Sequence, residues 1–267
     1  MIIVKKMNKK YFLLTALLLA VTIGYTQDKS LFKRFAFIQS GDTLPYRMLL
    51  PENYDSSKAY PLIVFLHGRG ESGRDNEKQL THGAALFLRD SIREKYPAIV
   101  VFPQCAASSY WSNVQTVADE KGKRTFYFVP DGGPSVSMRL LLSFTDHLLQ
   151  QYPIKKDQVY AMGLSMGGMG TFELVRRKPG VFAAAAPICG GAHPATAAGM
   201  KKTKWWIFHG AKDDVVLPEY SEKMYKALQK AGASVKFTLY PDTNHNSWDP
   251  AFAEPGLLHW LFAQRKK

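Results

Sequence analysis

Gly163-Leu164-Ser165-Met166-Gly167 is the stretch on which the reading of this chain turns. A G-x-S-x-G pentapeptide is a weak signal alone, and its neighbours make it strong. Val159-Tyr160-Ala161-Met162 ahead of it is a short apolar run that predicts a strand. Met166 to Lys178 behind it has the apolar spacing of a helix and opens with small residues. A strand that turns at once into a helix holds the residue at its tip in a strained backbone conformation with its side chain presented. Side chains on the flanking positions would clash there, which accounts for the two glycines. Ser165 is therefore the candidate nucleophile.

On both sides of this turn the chain alternates in the same way. Residues 61–66, 98–102, 181–188, 204–208 and 235–240 read as further strands, and residues 33–50 as an initial hairpin. Most of the runs are continuously apolar, as expected of parallel strands covered on both faces. Residues 77–96, 135–152 and 219–231 read as amphipathic helices. Strand and helix alternation of this kind predicts βαβ units and an α/β fold, a mostly parallel doubly wound sheet flanked by helices. No repeat or linker divides residues 27–267, which read as one catalytic domain. The long polar segment 106–134 interrupts the pattern and reads equally as a pocket rim or as a solvated hairpin.

A serine hydroxyl is a poor nucleophile at neutral pH and needs a base together with a group that orients the base. Beyond the strand at 204–208 lies the acidic turn His209-Gly210-Ala211-Lys212-Asp213-Asp214, and beyond the strand at 235–240 lies Asp242-Thr243-Asn244-His245. Of the seven histidines, His259 lies on a helical stripe, which leaves His245 in the loop directly beyond the last strand, where the base of such a site belongs. His67 and His209 sit at strand ends before glycine and read as loop-fixing residues. The order serine, aspartate, histidine distinguishes this arrangement from other serine triads. A tetrahedral oxyanion also needs donors. Met166 N–H, directly after the nucleophile, is one. The loop His67-Gly68-Arg69-Gly70 supplies the second, assigned to Arg69 N–H.

The formal charge of +13 on 267 residues invites a nucleic-acid or acidic-substrate reading. Four of the lysines lie within residues 1–26, where a basic start, an apolar stretch from Tyr11 to Tyr25 and small residues have the layout of an export signal. That stretch is short for a membrane span, which needs roughly 20 residues. A cleaved signal, a secreted or periplasmic location and no stable membrane insertion after cleavage are the expectations. The remaining basic residues are scattered and no recognition motif accompanies them, so no nucleic-acid partner is expected. Cys105 and Cys189, in an oxidising compartment, suggest a disulfide on count alone.

At this point the chain resembles the α/β-hydrolase superfamily, and within it the phospholipase/carboxylesterase and feruloyl-esterase-like families. The resemblance rests on L-H-G-R-G-E-S-G at 66–73, D-N-E-K-Q-L at 75–80, P-Q-C at 103–105 followed by Trp111, G-L-S-M-G-G at 163–168, H-G-A-K-D-D-V-V at 209–216 and H-N-S-W at 245–248. It implies an α/β-hydrolase fold, Asp213 rather than Asp214 as the acid, and the oxyanion donors already named. It also implies acyl-enzyme chemistry without metal or organic cofactor. In the strand order of that fold the two cysteines end strands three spacings apart, about 14 Å, beyond the roughly 7 Å a disulfide allows. Two unpaired, largely buried thiols are then expected.

Gln104, Trp111 and Trp248 are candidate substrate-binding residues, the tryptophans with Tyr110 as an aromatic platform. The expected substrate is a small-molecule or polysaccharide-linked ester, with acyl esters of plant polysaccharides the particular expectation. A serine peptidase, a lysophospholipase or thioesterase, and a non-catalytic binding module are the alternatives; the oligomeric state stays open.

Overall fold

An eight-stranded sheet in the order β1-β2-β4-β3-β7-β8-β9-β10 carries the molecule. The computed structural model describes residues 28–122 and 124–266; the expected export signal at 1–26 lies outside the described residues. The hairpin β1 (Lys33–Gln39) and β2 (Asp42–Leu49) is antiparallel and joins antiparallel to β4 (Ile99–Pro103). From there β3 (Tyr60–Leu66), β7 (Ile154–Leu164), β8 (Ala184–Ile188), β9 (Lys204–Gly210) and β10 (Val235–Tyr240) run parallel. This is the expected α/β-hydrolase architecture.

The continuous apolar runs are explained by two cores, one on each face. Leu62, Val64, Leu66, Trp205 and Ile207 belong to one. Ile63, Phe65, Trp206 and Phe208, their immediate neighbours in sequence, belong to the other. Because side chains alternate along a strand, a sheet covered on both sides favours apolar residues at most positions of its central strands. Helices α3 (Val136–Gln151), α4 (Met166–Arg177) and α5 (Glu219–Lys230) contribute Phe144, Phe172 and Met224 to the first core. No helix among the described residues is long and apolar enough to cross a membrane.

The helix expected over 77–96 is broken into α1 (Ala84–Phe87) and α2 (Asp90–Lys95). Gly83 has φ +84°, and a Cβ placed there would meet the Phe65 ring at 2.5 Å, so the chain enters α1 from a left-handed residue that helix geometry excludes. Arg89, at ψ 127°, separates the two pieces. The short helix α6 (Trp248–Ala253) had no counterpart in the sequence reading, and α7 (Leu257–Ala263) carries the helical stripe on which His259 lies. Segment 106–134 contains a separate hairpin, β5 (Val114–Ala118) with β6 (Arg124–Phe128). Three arginines hold this insertion to the main body. Arg69 donates to Ala107 O and Ser109 O at 2.7 and 2.8 Å. Arg176 donates to Pro130 O at 2.6 Å and Arg177 to Gly132 O at 3.0 Å, and the nearly buried Glu173 pairs with both at 2.6 Å.

Cys105 and Cys189 are both free and buried. They follow β4 and β8, between which β3 and β7 intervene, so sheet order separates them as expected.

Candidate active site

Register brings the C-terminal ends of the central strands level: Leu66 of β3 pairs with Gly163 of β7, and Leu164 with Ile188 of β8. Ser165 stands between β7 and α4 at φ +54° and ψ −118°, a conformation that non-glycine residues rarely adopt. Its N–H donates to Ile188 O at 2.9 Å, and its carbonyl accepts from Met169 N–H at 3.0 Å. The glycines of the pentapeptide are required by close backbone approach. A Cβ on Gly163 would lie 2.4 Å from Gly167 O, and one on Gly167 would lie 2.0 Å from Leu66 O.

His245 Nε2 is 3.0 Å from Ser165 Oγ, and His245 Nδ1 is 2.8 Å from Asp213 Oδ2. An ionised carboxylate only accepts, so Nδ1 carries the proton and Nε2 is left to accept from the serine hydroxyl. The loops bearing Asp213 and His245 are laced together. Ala211 N–H donates to Tyr240 O at 2.9 Å and Lys212 N–H to Thr243 O at 3.0 Å. A Cβ on Gly210 would collide with Thr243 O and Asn244 O, both at 2.3 Å. Asp214, the other acid of the turn, is exposed and only its N–H reaches the His245 loop, through Asn244 Oδ1 at 3.3 Å.

The Asp213 side chain is fully buried. Burial by itself would raise its pKa, but hydrogen bonds from His209, His245 and the Val216 N–H outweigh that cost and hold the carboxyl far below its ordinary range. Oδ1 accepts from Val215 and Val216 N–H at 3.0 and 2.9 Å. His209, read from sequence as a loop-fixing residue, places Nε2 3.2 Å from Asp213 Oδ2 and 2.8 Å from Val216 O. Its i,i+4 spacing to Asp213 was the available signal.

Met166 is the first residue of α4, and its N–H has no intrahelical acceptor. Arg69 opens the 3₁₀ turn Arg69–Glu71 in the same position. Arg69 and Ser165, the residue directly before Met166, border a cavity of about 330 Å³, lined also by Glu71, His82, Tyr110, Arg124, Phe126, Val216, His245 and Trp248. The Trp248 ring stands edge-on to His245 at 5.5 Å and packs against His82 at 5.1 Å.

The other two candidate substrate residues lie elsewhere. Trp111 is fully buried. Its ring packs on His67 at 5.5 Å, and a Cβ on Gly170 would meet its own Cβ at 2.4 Å. Gln104 is fully buried as well. It donates to Glu71 O and Asp75 Oδ1 and accepts from Asn76 N–H. It fixes the loop behind Arg69 and does not face the cavity. Cavity residues missed by sequence reasoning include Glu71 and His82, while Arg124 and Phe126 lie on the inserted hairpin and make segment 106–134 part of the pocket rim.

Among the described residues, Cys189, Asp213 and His245 form the one group of three potential metal ligands, within 4.8 Å of one another. Asp213 and His245 are committed to each other, and burial pushes the Cys189 thiol up and keeps it protonated. The arrangement suits proton transfer along Ser165, His245 and Asp213.

Fold and site together define an α/β hydrolase with a serine at its centre. The family model of phospholipases and carboxylesterases matches residues 53–254, and the chain belongs to that family. A probable carboxylesterase SOBER1-like from Arabidopsis thaliana is 27% identical over 232 residues, 80% of this chain and 82% of that protein. A solved thermostable esterase is 32% identical with a TM-score of 0.78, over 88% of this chain; the match spans 64% of that structure's length. A ferulic acid esterase structure shares the fold at 16% identity and a TM-score of 0.63, over 86% of this chain and 96% of its own.

Proposed function

We propose that the protein is a serine carboxylic-ester hydrolase acting through Ser165, His245 and Asp213. The observation that carries this reading is the unbroken chain of contacts from Ser165 Oγ through His245 to the buried Asp213, with Ser165 and His245 both opening on the cavity. As Ser165 Oγ attacks an ester carbonyl, its proton passes to His245 Nε2. Asp213 keeps the other ring proton on Nδ1 and stabilises the imidazolium. Charge building on the carbonyl oxygen is met by Met166 and Arg69 N–H, donors already oriented by the helix start and the 3₁₀ turn. His245 then gives the proton to the departing alcohol, leaving an acyl-enzyme. Water, deprotonated by His245, attacks the acyl carbon, and Ser165 recovers its proton.

The N-terminal layout supports export, and export together with the feruloyl-esterase-like motifs supports acyl esters of plant polysaccharides as substrates. A cavity near the lower end of the range for small-molecule sites suits short or compact acyl groups. The test is hydrolysis of 4-nitrophenyl esters of graded chain length beside methyl ferulate and acetylated xylan. Ser165→Ala is expected to lose at least about a thousandfold in kcat. Wild-type rates in that variant would overturn the mechanism, and activity confined to long acyl chains would overturn the polysaccharide substrate. N-terminal sequencing of the protein recovered outside the cytoplasm tests cleavage near residue 26.

A further inference from the structure

Ester hydrolysis as such makes no use of a cation in the cavity wall, yet two arginines line it, Arg69 and Arg124. Arg69 is spent: its Nη1 and Nη2 donate to Ser109 O and Ala107 O, and it lies 5.5 Å from the centre of the Tyr110 ring. Arg124 is not. It opens β6, two residues before Phe126, so both project from the same strand face, and both line the cavity. Among the described residues no carboxylate forms an ion pair with Arg124. Glu71 is the sole acid among the lining residues, and its Oε1 lies 3.9 Å from His82 Nε2.

The strand carrying Arg124 is firmly placed. Phe126 is buried against Met169 and Val216, its N–H donates to the Tyr220 hydroxyl at 3.2 Å, and the arginine clamps hold the segment that follows. The backbone from which Arg124 extends is therefore fixed at the cavity, which limits the positions its exposed side chain samples. Burial raises the pKa of the Tyr110 hydroxyl, and the charges of Arg124 and Arg69 oppose that rise, which places Arg124 within electrostatic reach of the cavity wall.

Resting on the esterase reading, we propose that Arg124 is a specificity-determining residue and that the preferred esters carry a carboxylate a few bonds from the scissile carbonyl. The carboxylate can sit on the acyl side, as in half-esters of short dicarboxylic acids, or on the alcohol side, as in acylated uronic acid units. Two substrate pairs separate these sources: 4-nitrophenyl hydrogen succinate against 4-nitrophenyl pentanoate, and acetylated polygalacturonate against acetylated xylan.

The wild type is expected to favour the anionic member of at least one pair by about tenfold in kcat/KM at low ionic strength, mainly through KM, and to lose that preference as salt rises. Arg124→Gln should bring the ratio to about one, Arg124→Glu should invert it, and Arg124→Lys should retain most of it. A wild-type ratio of one, or a ratio unchanged in Arg124→Gln, overturns the proposal while leaving the esterase reading intact. Ester hydrolysis undiminished in Ser165→Ala overturns the esterase reading instead. Binding of monoethyl succinate to Ser165→Ala protein, followed by NMR, decides the role of Arg124 without turnover: the double variant Ser165→Ala/Arg124→Gln should bind about tenfold more weakly, and equal binding overturns the proposal.

Discussion

His67 and His245 stand on loops at the same end of the sheet and use their ring nitrogens alike, Nδ1–H donating and Nε2 accepting, but in different surroundings. His245 faces the cavity and links Ser165 to Asp213. His67 is buried, with Nδ1–H donating to Gly68 O at 2.6 Å and Nε2 accepting from Cys105 N–H at 2.9 Å. Burial, which outweighs the Gly68 hydrogen bond, pushes its pKa from 6.5 down to about 4. Below pH 6.5 the unfolded chain therefore takes up a proton at this residue that the native protein refuses until about pH 4. The stability His67 contributes is full above pH 6.5 and is lost as pH falls towards 4, by on the order of 3 kcal/mol. Urea unfolding between pH 7.5 and 4.5 should show a shallower loss of stability in His67→Asn than in the wild type; parallel curves would show that His67 does not titrate in that window. Ser165 and His245 were legible from sequence because each lies at a fixed offset from a strand end. Asp213 needed the family resemblance, since Asp213 and Asp214 adjoin on one turn and burial alone separates them. His209 fixes its loop through Val216 O, as read, and the further contact of its Nε2 with the acid bound by His245 emerged only from the fold.

Helix α4 packs by backbone, and its small residues are the condition for the site beside it. A Cβ at Gly167 would overlap the carbonyl of Leu66, which belongs to β3 and has no freedom to retreat. Gly167→Ala is accordingly expected to cost more than about 3 kcal/mol or to prevent folding, whereas Gly199→Ala, where a Cβ meets nothing within 4 Å, should change stability by less than about 0.5 kcal/mol. Comparable melting temperatures for the two variants would contradict the packing argument. The strands and the three long helices were readable because each repeats an apolar period over many residues. The break at Gly83 was not, because its cause is the Phe65 ring across the fold. The inserted hairpin lacked a clear period: one face is exposed at Tyr127 and the other is buried at Phe126, and its anchors are arginines on the β3 loop and on α4.

The order of strands decides the redox chemistry of the whole molecule. With β3 and β7 between the strands that the cysteines follow, no disulfide can close. Burial pushes the Cys105 thiol up to about 11 and raises that of Cys189 as well. A thiol reagent should label neither cysteine in the native protein at pH 8 and both after unfolding in guanidinium, and the melting temperature should be the same with and without reductant. Stoichiometric labelling of the folded protein, or a crosslinked Cys105–Cys189 peptide, would contradict this. By itself the sequence determined the alternating α/β order, the sharp turn at Ser165 and the succession of serine, acid and histidine, because periodicity, turn chemistry and chain order are local properties that survive without the fold. Only the tertiary structure decided that Asp213 has two histidines on one oxygen, that Trp111 and Gln104 serve the core and a loop, and that Arg124 reaches the cavity. Those facts are set by residues far apart in the chain, brought together by loops with no period of their own.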